Sequence, residues 1–134
     1  MARILVIDDD PAILLTVELL LKRDGHEIVT TTDAYAGLGR LEKTPFDLVI
    51  VDIFMPEMDG LETINQINLR HPGLRIVVMS GYQFEASVAQ RPDFLHMATE
   101  FGAYVSLKKP FRPADLLEAV VKSLPARAKD ATGS

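Results

Sequence analysis

Residues 47–60 read DLVIVDIFMPEMDG. The apolar run Leu48–Val51 is short and rich in β-branched residues, which is typical of a strand buried on both faces of a parallel sheet. Asp52 ends this run where the strand should leave the core, and the Met-Pro and Asp-Gly pairs that follow favour turns. Ligands of open α/β sheets bind outside the carboxyl ends of the strands, so Asp52 is a candidate site residue. A lone aspartate there more often only faces solvent, and the rest of the chain has to decide between the two interpretations.

The composition is that of an ordinary globular protein and argues against several functions. The 134 residues are 48% hydrophobic and 25% charged, and they fit one domain. The net charge of −5 argues against direct nucleic-acid binding, and the absence of cysteine excludes disulfides and thiolate chemistry. No apolar run approaches the roughly 20 residues of a membrane span. A strand follows the first three residues at once and leaves no room for a signal peptide, so we expect a cytoplasmic protein without membrane contact.

Five segments with the features of strands alternate with helical segments. The strands are expected at Ile4–Ile7, Glu27–Thr31, Leu48–Val51, Arg75–Met79 and Ala103–Leu107. This alternation predicts right-handed βαβ units and therefore an α/β fold. We expect a doubly wound, flavodoxin-like (βα)5 domain with a five-stranded parallel sheet in the order 2-1-3-4-5.

The helical segments carry start and stop signals. Asp10 followed by Pro11 and, later, Asp33 are good N-caps, and Gly25 follows the end of the first helix. His26 lies in the next turn, and we expect it at the surface. The last helix is expected to bury an apolar stripe made of Leu116, Leu117, Val120, Val121 and Leu124.

The predicted strand order brings several polar strand ends to one rim of the sheet. Strands one, three, four and five become consecutive neighbours about 4.8 Å apart. They end in Asp8-Asp9, Asp52, Ser80 and Lys109, respectively. Clustered carboxylates suit Mg²⁺ shared with a phosphate, serine and lysine bind phosphate oxygens, and a carboxylate can itself form an aspartyl phosphate. Capping accounts for Asp10, but it accounts for neither of the two aspartates before it.

The same residues resemble the CheY-like receiver domains of two-component response regulators. The matching pieces are Ile7–Asp10, Val51–Gly60, Met79–Gly81 and Lys109–Phe111. The resemblance covers about Arg3 to Leu124, nearly the whole chain. We therefore expect residues 1–124 to form the receiver domain and residues 125–134 to be a disordered C-terminal tail.

The resemblance also implies a role for each residue of the rim. Asp52 would accept a phosphoryl group, and Mg²⁺ would be bound directly by Asp9, by Asp52 and by the backbone carbonyl of Phe54. Asp8 would act on the metal largely through water. The phosphoryl oxygens would be bound by two residues, Ser80 and Lys109, and the Lys109-Pro110 bond would be cis.

Partners and activity follow from the same resemblance. The phosphoryl donor would be a sensor histidine kinase or a histidine phosphotransfer protein. No catalysis is expected beyond self-phosphorylation and slow self-dephosphorylation. The signal would pass by conformational change to a downstream protein target. A homodimer is a further expectation, through the face made of the predicted fourth helix (Pro92–Phe101), the fifth strand and the fifth helix.

The sequence departs from the family pattern at three places. In the family, an aromatic residue three positions before the lysine usually acts as the switch, but Ser106 stands at that position here. Tyr104 lies two residues earlier and therefore on the same face of the strand. Ser80, Tyr104 and Ser106 are thus the candidate switch residues. Bulky Phe54 and Tyr82 stand two residues beyond the acceptor and the hydroxyl. The segment from Ser80 to Gly102 is longer than usual by roughly two helical turns of ~3.6 residues.

Two other classes of protein share parts of the pattern. A small phosphatase of the haloacid-dehalogenase type would use Asp8 as nucleophile and Asp10 as acid and base, but Ala12 stands where that motif needs threonine or valine. A flavodoxin-like cofactor module would place three carboxylates beside an FMN phosphate, which is electrostatically unfavourable. Phosphorylation of Asp52 by acetyl phosphate and Mg²⁺ distinguishes a receiver from the phosphatase.

Overall fold

A computed structural model describes residues 2–53, 60–80 and 105–124. The strands are β1 Arg3–Ile7, β2 Glu27–Thr31, β3 Leu48–Asp52, β4 Arg75–Ser80 and β5 Val105–Lys108. The helices in these ranges are α1 Pro11–Arg23, α2 Ala34–Lys43, α3 Gly60–Arg70 and α4 Pro113–Ser123. The strands form one parallel sheet in the order β2-β1-β3-β4-β5, which confirms the predicted topology.

Alternate side chains of β1, β2, β3 and β4 enter two separate cores. Ile4 and Val6 of β1 pack with α1 and α4 on one face of the sheet. Leu5 and Ile7 pack with α2 and α3 on the other face. The four side chains are fully buried, as expected for strands with both faces covered by helices. The rim of the sheet is therefore held by a rigid, doubly packed base.

The predicted caps of the first two helices are confirmed. The carboxylate of Asp10 accepts a hydrogen bond from the Ala12 amide at 2.9 Å, and that of Asp33 accepts one from Ala36 at 2.7 Å. Gly25, just after α1, adopts a φ of 93°, a conformation that glycine adopts without steric cost. These signals fix where α1 begins, directly at the rim that carries the aspartates.

Helix α2 lies unusually close to β1 at one glycine. A Cβ atom added to Gly37 would overlap the side chain of Ile7, whereas a Cβ at Gly39 would meet nothing within 4 Å. Both glycines lie inside the same helix. The residue at position 37 is therefore determined by packing, and the residue at position 39 is not.

Two sequence-based expectations about burial were wrong. His26 is not at the surface; it is 6% exposed, and its Nδ1 accepts a hydrogen bond from the Ala2 amide at 3.2 Å. That bond allows a polar ring to be buried under the start of β1. Val121 was expected in the buried stripe of the last helix but is 51% exposed, whereas Leu116 and Val120 are fully buried.

Some expectations fall outside the described residues. The helix predicted at 92–101 and the first two residues of the predicted fifth strand belong to them. Within the described ranges, no helix has both the length and the apolar character needed to cross a membrane.

Candidate functional site

The side chains of three candidate site residues lie on the same face of the sheet. Asp8, Asp52 and Lys109 each come two residues after a strand residue whose side chain is buried in the core against α1 and α4. Those core side chains are Val6, Ile50 and Leu107. Side chains two residues apart along a strand share a face, so the three charged groups continue this face beyond the core. The pairing of Val6 with Ile50 also brings the two aspartates to the same level.

Lys109 joins the two buried carboxylates. Its Nζ lies 2.6 Å from Oδ2 of Asp8 and 3.2 Å from Oδ2 of Asp52. The side chains of the two aspartates are 0% and 6% exposed, and that of the lysine is 16% exposed. Charges with so little access to water have to be paired, and these ion pairs satisfy that requirement.

Asp8 is held by contacts on both of its oxygens. Oδ1 accepts a hydrogen bond from the Asp10 amide at 2.9 Å, and Oδ2 accepts one from Lys109. Its backbone amide donates to the carbonyl of Thr31 at 3.2 Å, which ties the end of β1 to β2. The side chain is therefore fixed in one orientation.

Asp9 completes a group of three carboxylates. One oxygen each of Asp8, Asp9 and Asp52 can be chosen so that all lie within 4.8 Å of one another. Asp9 is exposed, unlike the other two, and among the described residues it makes no hydrogen bond or ion pair. The group is therefore buried on one side and open to solvent at Asp9. A hard divalent cation such as Mg²⁺ is the ion that such an oxygen set fits.

The lysine remains charged in this site. Burial lowers the pKa of the Lys109 ammonium, but the hydrogen bond that it donates to Asp8 and the negative charges of Asp52 and Asp8 outweigh burial and hold that pKa above its ordinary value. At neutral pH the site therefore contains a permanent cation beside the carboxylates.

The remaining predicted site residues are placed only in part. Ser80 is the last residue of β4, next to β3, and pairs in register with Lys108; its side chain lies outside what the structure describes. Ser106 lies on β5 and is exposed. Phe54, Tyr82 and Tyr104 lie outside the described residues.

An exposed apolar stripe on α1 was missed in the sequence. Leu15 is 56% exposed and Leu19 is 60% exposed, and the two stand one helical turn apart. They lie on the side of α1 opposite to its buried residues Leu14, Val17 and Leu21. The sequence does indicate this stripe, because apolar residues at positions 12, 15 and 19 recur at helical spacing on a second face of the helix, away from the face that is buried in the core.

The contacts do not support the phosphatase alternative. The carboxylate of Asp10 is occupied as the cap of α1, and both oxygens of Asp8 are engaged in hydrogen bonds. Neither side chain is poised for the acid–base and nucleophilic roles which that mechanism assigns to them.

Comparisons of the sequence with known proteins all find response regulators and their receiver domains. The model of the family described as "Response regulator receiver domain" matches residues 4–121. The chain is 32% identical over 123 residues to the transcriptional regulatory protein GlrR of Escherichia coli, covering 92% of this chain and 26% of that protein. It is 25% identical over 126 residues to sporulation initiation phosphotransferase F of Bacillus subtilis, covering 94% and 96%.

Solved structures agree with the sequence comparisons. A CheY-like receiver domain protein of Methanospirillum hungatei superposes with a TM-score of 0.81 at 32% identity and covers 97% of this chain and 98% of its own. The chain spans about a quarter of the length of GlrR but nearly all of the sporulation phosphotransferase. The similarity therefore concerns one domain of the longer relatives.

Proposed function

Because the chain belongs to the response regulator receiver domain family, we propose that Asp52 accepts a phosphoryl group from the phosphohistidine of a sensor histidine kinase or a histidine phosphotransfer protein. Receiver domains are the phosphoryl-accepting regulatory domains of two-component systems. The observation that carries the proposal is the setting of the Asp52 carboxylate. It is buried at the carboxyl end of β3, within 4.8 Å of two further carboxylates and 3.2 Å from the Lys109 ammonium.

In the proposed step, a carboxylate oxygen of Asp52 forms a bond to phosphorus while the phosphorus–nitrogen bond of the phosphohistidine breaks. The donor imidazole leaves with the electron pair of that bond and takes up a proton. Such transfers depend on positioning and on neutralising the charge spread over the phosphoryl oxygens. Lys109 supplies a fixed cation and three donors for that purpose, already at hydrogen-bond distance from the acceptor carboxylate.

We assign the Mg²⁺ site to Asp9 and Asp52 directly, with Asp8 acting through water and the Phe54 carbonyl as the further ligand expected from the sequence. The solvent-facing position of Asp9 supports a direct contact. The indirect role of Asp8 is supported because both of its oxygens are already engaged. When bound, Mg²⁺ supplies positive charge for the transferring phosphoryl group.

The output is assigned to the face that carries β5. A cleft of about 350 Å³ runs between β5 and α4, lined by Ser106, Lys108, Glu118 and Lys122 among others. We propose that Ser80 follows the phosphoryl group and that Ser106 and Tyr104 pass the change to this face, where a downstream protein or a second copy of the domain binds. The domain itself is not expected to contact nucleic acid, given its net charge of −5.

The donor is proposed to dock on α1. This helix begins at Pro11, directly after the aspartates, so Leu15 and Leu19 form an apolar strip that leads away from the acceptor. Exposed leucines flanked by polar residues are typical of a contact with another protein. A donor seated on this strip would hold its phosphohistidine over the rim.

Phosphoryl incorporation tests the acceptor. Incubation with acetyl phosphate and Mg²⁺ should add one phosphoryl mass to the intact protein, and Asp52→Asn should abolish the gain. Asp9→Ala should remove most of the rate together with its Mg²⁺ dependence. Full labelling of the Asp52→Asn protein would refute the assignment, and turnover of a phosphate ester through Asp8 would favour the phosphatase.

A second experiment separates donor docking from chemistry. The double variant Leu15→Ala/Leu19→Ala should slow transfer from a phosphorylated donor protein by about tenfold or more, because an apolar contact of this size contributes on the order of 2 kcal/mol. Transfer from acetyl phosphate should be unchanged. Leu69→Ala is the matched control, since Leu69 is 70% exposed on α3, on the other face of the sheet. Equal slowing by the control variant would remove α1 as the docking surface.

A further inference from the structure

The last row of the sheet before the rim leads directly into the candidate metal site. In this row, Ile7 of β1 pairs in register with Thr31 of β2 on one side and with Val51 of β3 on the other. The residues that follow Ile7 and Val51 along the chain are the three carboxylates that could hold a cation. Any displacement of this row is therefore passed along the backbone to the carboxylates.

Helix α2 leaves no room for a side chain between Gly37 and this row. A Cβ atom at Gly37 would overlap Cδ1 of Ile7, and it would lie 2.8 Å from Cγ1 of Ile7 and 3.2 Å from the hydroxyl oxygen of Thr31. Ile7 is fully buried. It cannot yield without disturbing its neighbours, because protein cores are packed so closely that a single extra methyl group is felt.

The start of α2 is tied to the same row by hydrogen bonds. The carbonyl oxygen of Asp33 accepts one from the Gly37 amide at 3.1 Å and one from the Thr31 hydroxyl at 3.3 Å. Withdrawal of α2 at Gly37 would therefore pull on Thr31. The carbonyl oxygen of Thr31 in turn accepts the hydrogen bond from the Asp8 amide at 3.2 Å.

We propose that Gly37 is a positioning residue for the metal site. Its lack of a side chain lets α2 hold Ile7 and Thr31 in the places that orient the carboxylates of Asp8 and Asp9. A larger residue would either shift Ile7 or push α2 away, and each response displaces a group that holds Asp8. The metal site is thus coupled to a helix that contributes none of its assigned ligands. This inference rests on the metal site assigned under the proposed function.

A small displacement of the ligands should weaken metal binding measurably. Changes to groups that orient metal ligands typically alter the affinity by about 10- to 100-fold. Gly37 acts on the carboxylates only through the backbone, so we expect Gly37→Ala to weaken Mg²⁺ binding by about tenfold, the lower end of that range. Isothermal titration with Mg²⁺, at a temperature at which all variants are folded, measures this affinity.

Two further variants separate positioning from stability. Gly39→Ala adds the same methyl group to the same helix, where it meets nothing within 4 Å, and should leave the affinity unchanged. Ile7→Val removes Cδ1, the atom that the new methyl group would overlap, and by itself should lower the melting temperature with little effect on affinity. Combined with Gly37→Ala, it should restore the affinity to within about threefold of the parent protein, because the two positions are in contact.

The titrations can contradict the proposal in three ways. An unchanged affinity of Gly37→Ala would show that α2 adapts without moving the ligands. An equal loss in Gly39→Ala, or no recovery in the double variant with Ile7→Val, would show that the contact with Ile7 is not the cause. Each of these results would overturn the proposal.

Amide hydrogen exchange in the metal-free protein tests the same inference without Mg²⁺. The amides of Asp8 and Glu27 both donate to carbonyls across the pair of β1 and β2, at 3.2 Å at the rim and at 2.9 Å at the opposite end. In EDTA, Gly37→Ala should raise the exchange rate of the Asp8 amide, relative to the parent protein, by a larger factor than that of the Glu27 amide. An equal rise at both ends would reflect lower global stability alone and would overturn the proposal.

The exchange experiment also covers two other outcomes. If Gly37→Ala does not fold, Thr31→Val takes its place, because it removes the hydroxyl that bonds the Asp33 carbonyl and should have the same unequal effect on the two amides. If the unmodified protein does not bind Mg²⁺, the metal assignment fails. The ratio of the two exchange rates then decides by itself whether α2 positions the aspartates.

Discussion

Removing the charge of Asp9 should stabilise the metal-free protein. Its carboxylate is exposed, makes no hydrogen bond or ion pair among the described residues and lies within 4.8 Å of two other carboxylates. The ammonium of Lys109 offsets one of those two negative charges, so the Asp9 carboxylate is still repelled by the other one. Asp9→Asn keeps the size of the side chain and abolishes this repulsion.

The expected magnitude follows from the distance. Two unit charges 4.8 Å apart interact by about 0.9 kcal/mol in water and about 3.5 kcal/mol at an effective dielectric constant of about 20. Because Asp9 is exposed, the lower figure applies, and we expect a gain of about 1 kcal/mol in the free energy of unfolding. For a domain of this size that gain raises the melting temperature by about 4 °C.

The assay is thermal or urea unfolding in EDTA and again with saturating Mg²⁺. Asp9→Asn should unfold later than the parent protein in EDTA and should gain little from Mg²⁺, whereas the parent is stabilised by metal binding. Asp10→Asn is the matched control: it removes the same charge one residue away, and asparagine still caps α1. A melting temperature of Asp9→Asn at or below that of the control would refute the reasoning.

Three further predictions concern other parts of the chain. Gly37→Ala should cost about 2 kcal/mol because its methyl group would overlap Ile7, whereas Gly39→Ala, in open space in the same helix, should gain up to about 1 kcal/mol; urea unfolding compares them. Burial lowers the pKa of His26 in the folded protein below 6.5, so the histidine binds a proton more readily when the protein is unfolded. The stability it contributes is fully present above pH 6.5 and is lost as the pH falls through the folded pKa; unfolding free energies at about pH 7.5 and pH 5.5 should therefore differ less in His26→Gln. Phe54→Asn should speed loss of the phosphoryl group, because an amide can orient water where a phenyl ring cannot, and unchanged decay of the labelled protein would contradict this steric account.

The topology and the rim were predictable because they depend on local patterns. Short runs of β-branched residues indicate buried strands, and the alternation of these strands with helices restricts the order of the strands in the sheet. Once that order is fixed, the strand ends that carry Asp8, Asp52 and Lys109 have to be neighbours. The three charged groups are indeed in contact in the structure.

The features that were missed depend on contacts between distant parts of the chain. His26 is buried because the amide of Ala2, 24 residues earlier, supplies a hydrogen bond, and nothing in the local sequence of the turn shows this. Val121 is exposed because the width of a buried helix face depends on how closely its neighbours pack, which periodicity does not determine. The pairing of Lys109 with the aspartates was overlooked because its expected partner was the phosphoryl group.

The choice between the two adjacent lysines shows how the sheet determines the site. Either lysine could have carried the charge if only composition mattered. Leu107 is buried in the core under α1 and α4, so the side chain two residues later returns to the same side as Asp8 and Asp52, whereas Lys108 turns away and is exposed. A shift of one residue in β5 would exchange the two lysines and also expose Leu107, at a cost of about 2 kcal/mol in lost burial. The apolar pattern of β5 therefore fixes the position of the cation, so that the packing of the core and the chemistry of the rim are set by the same register.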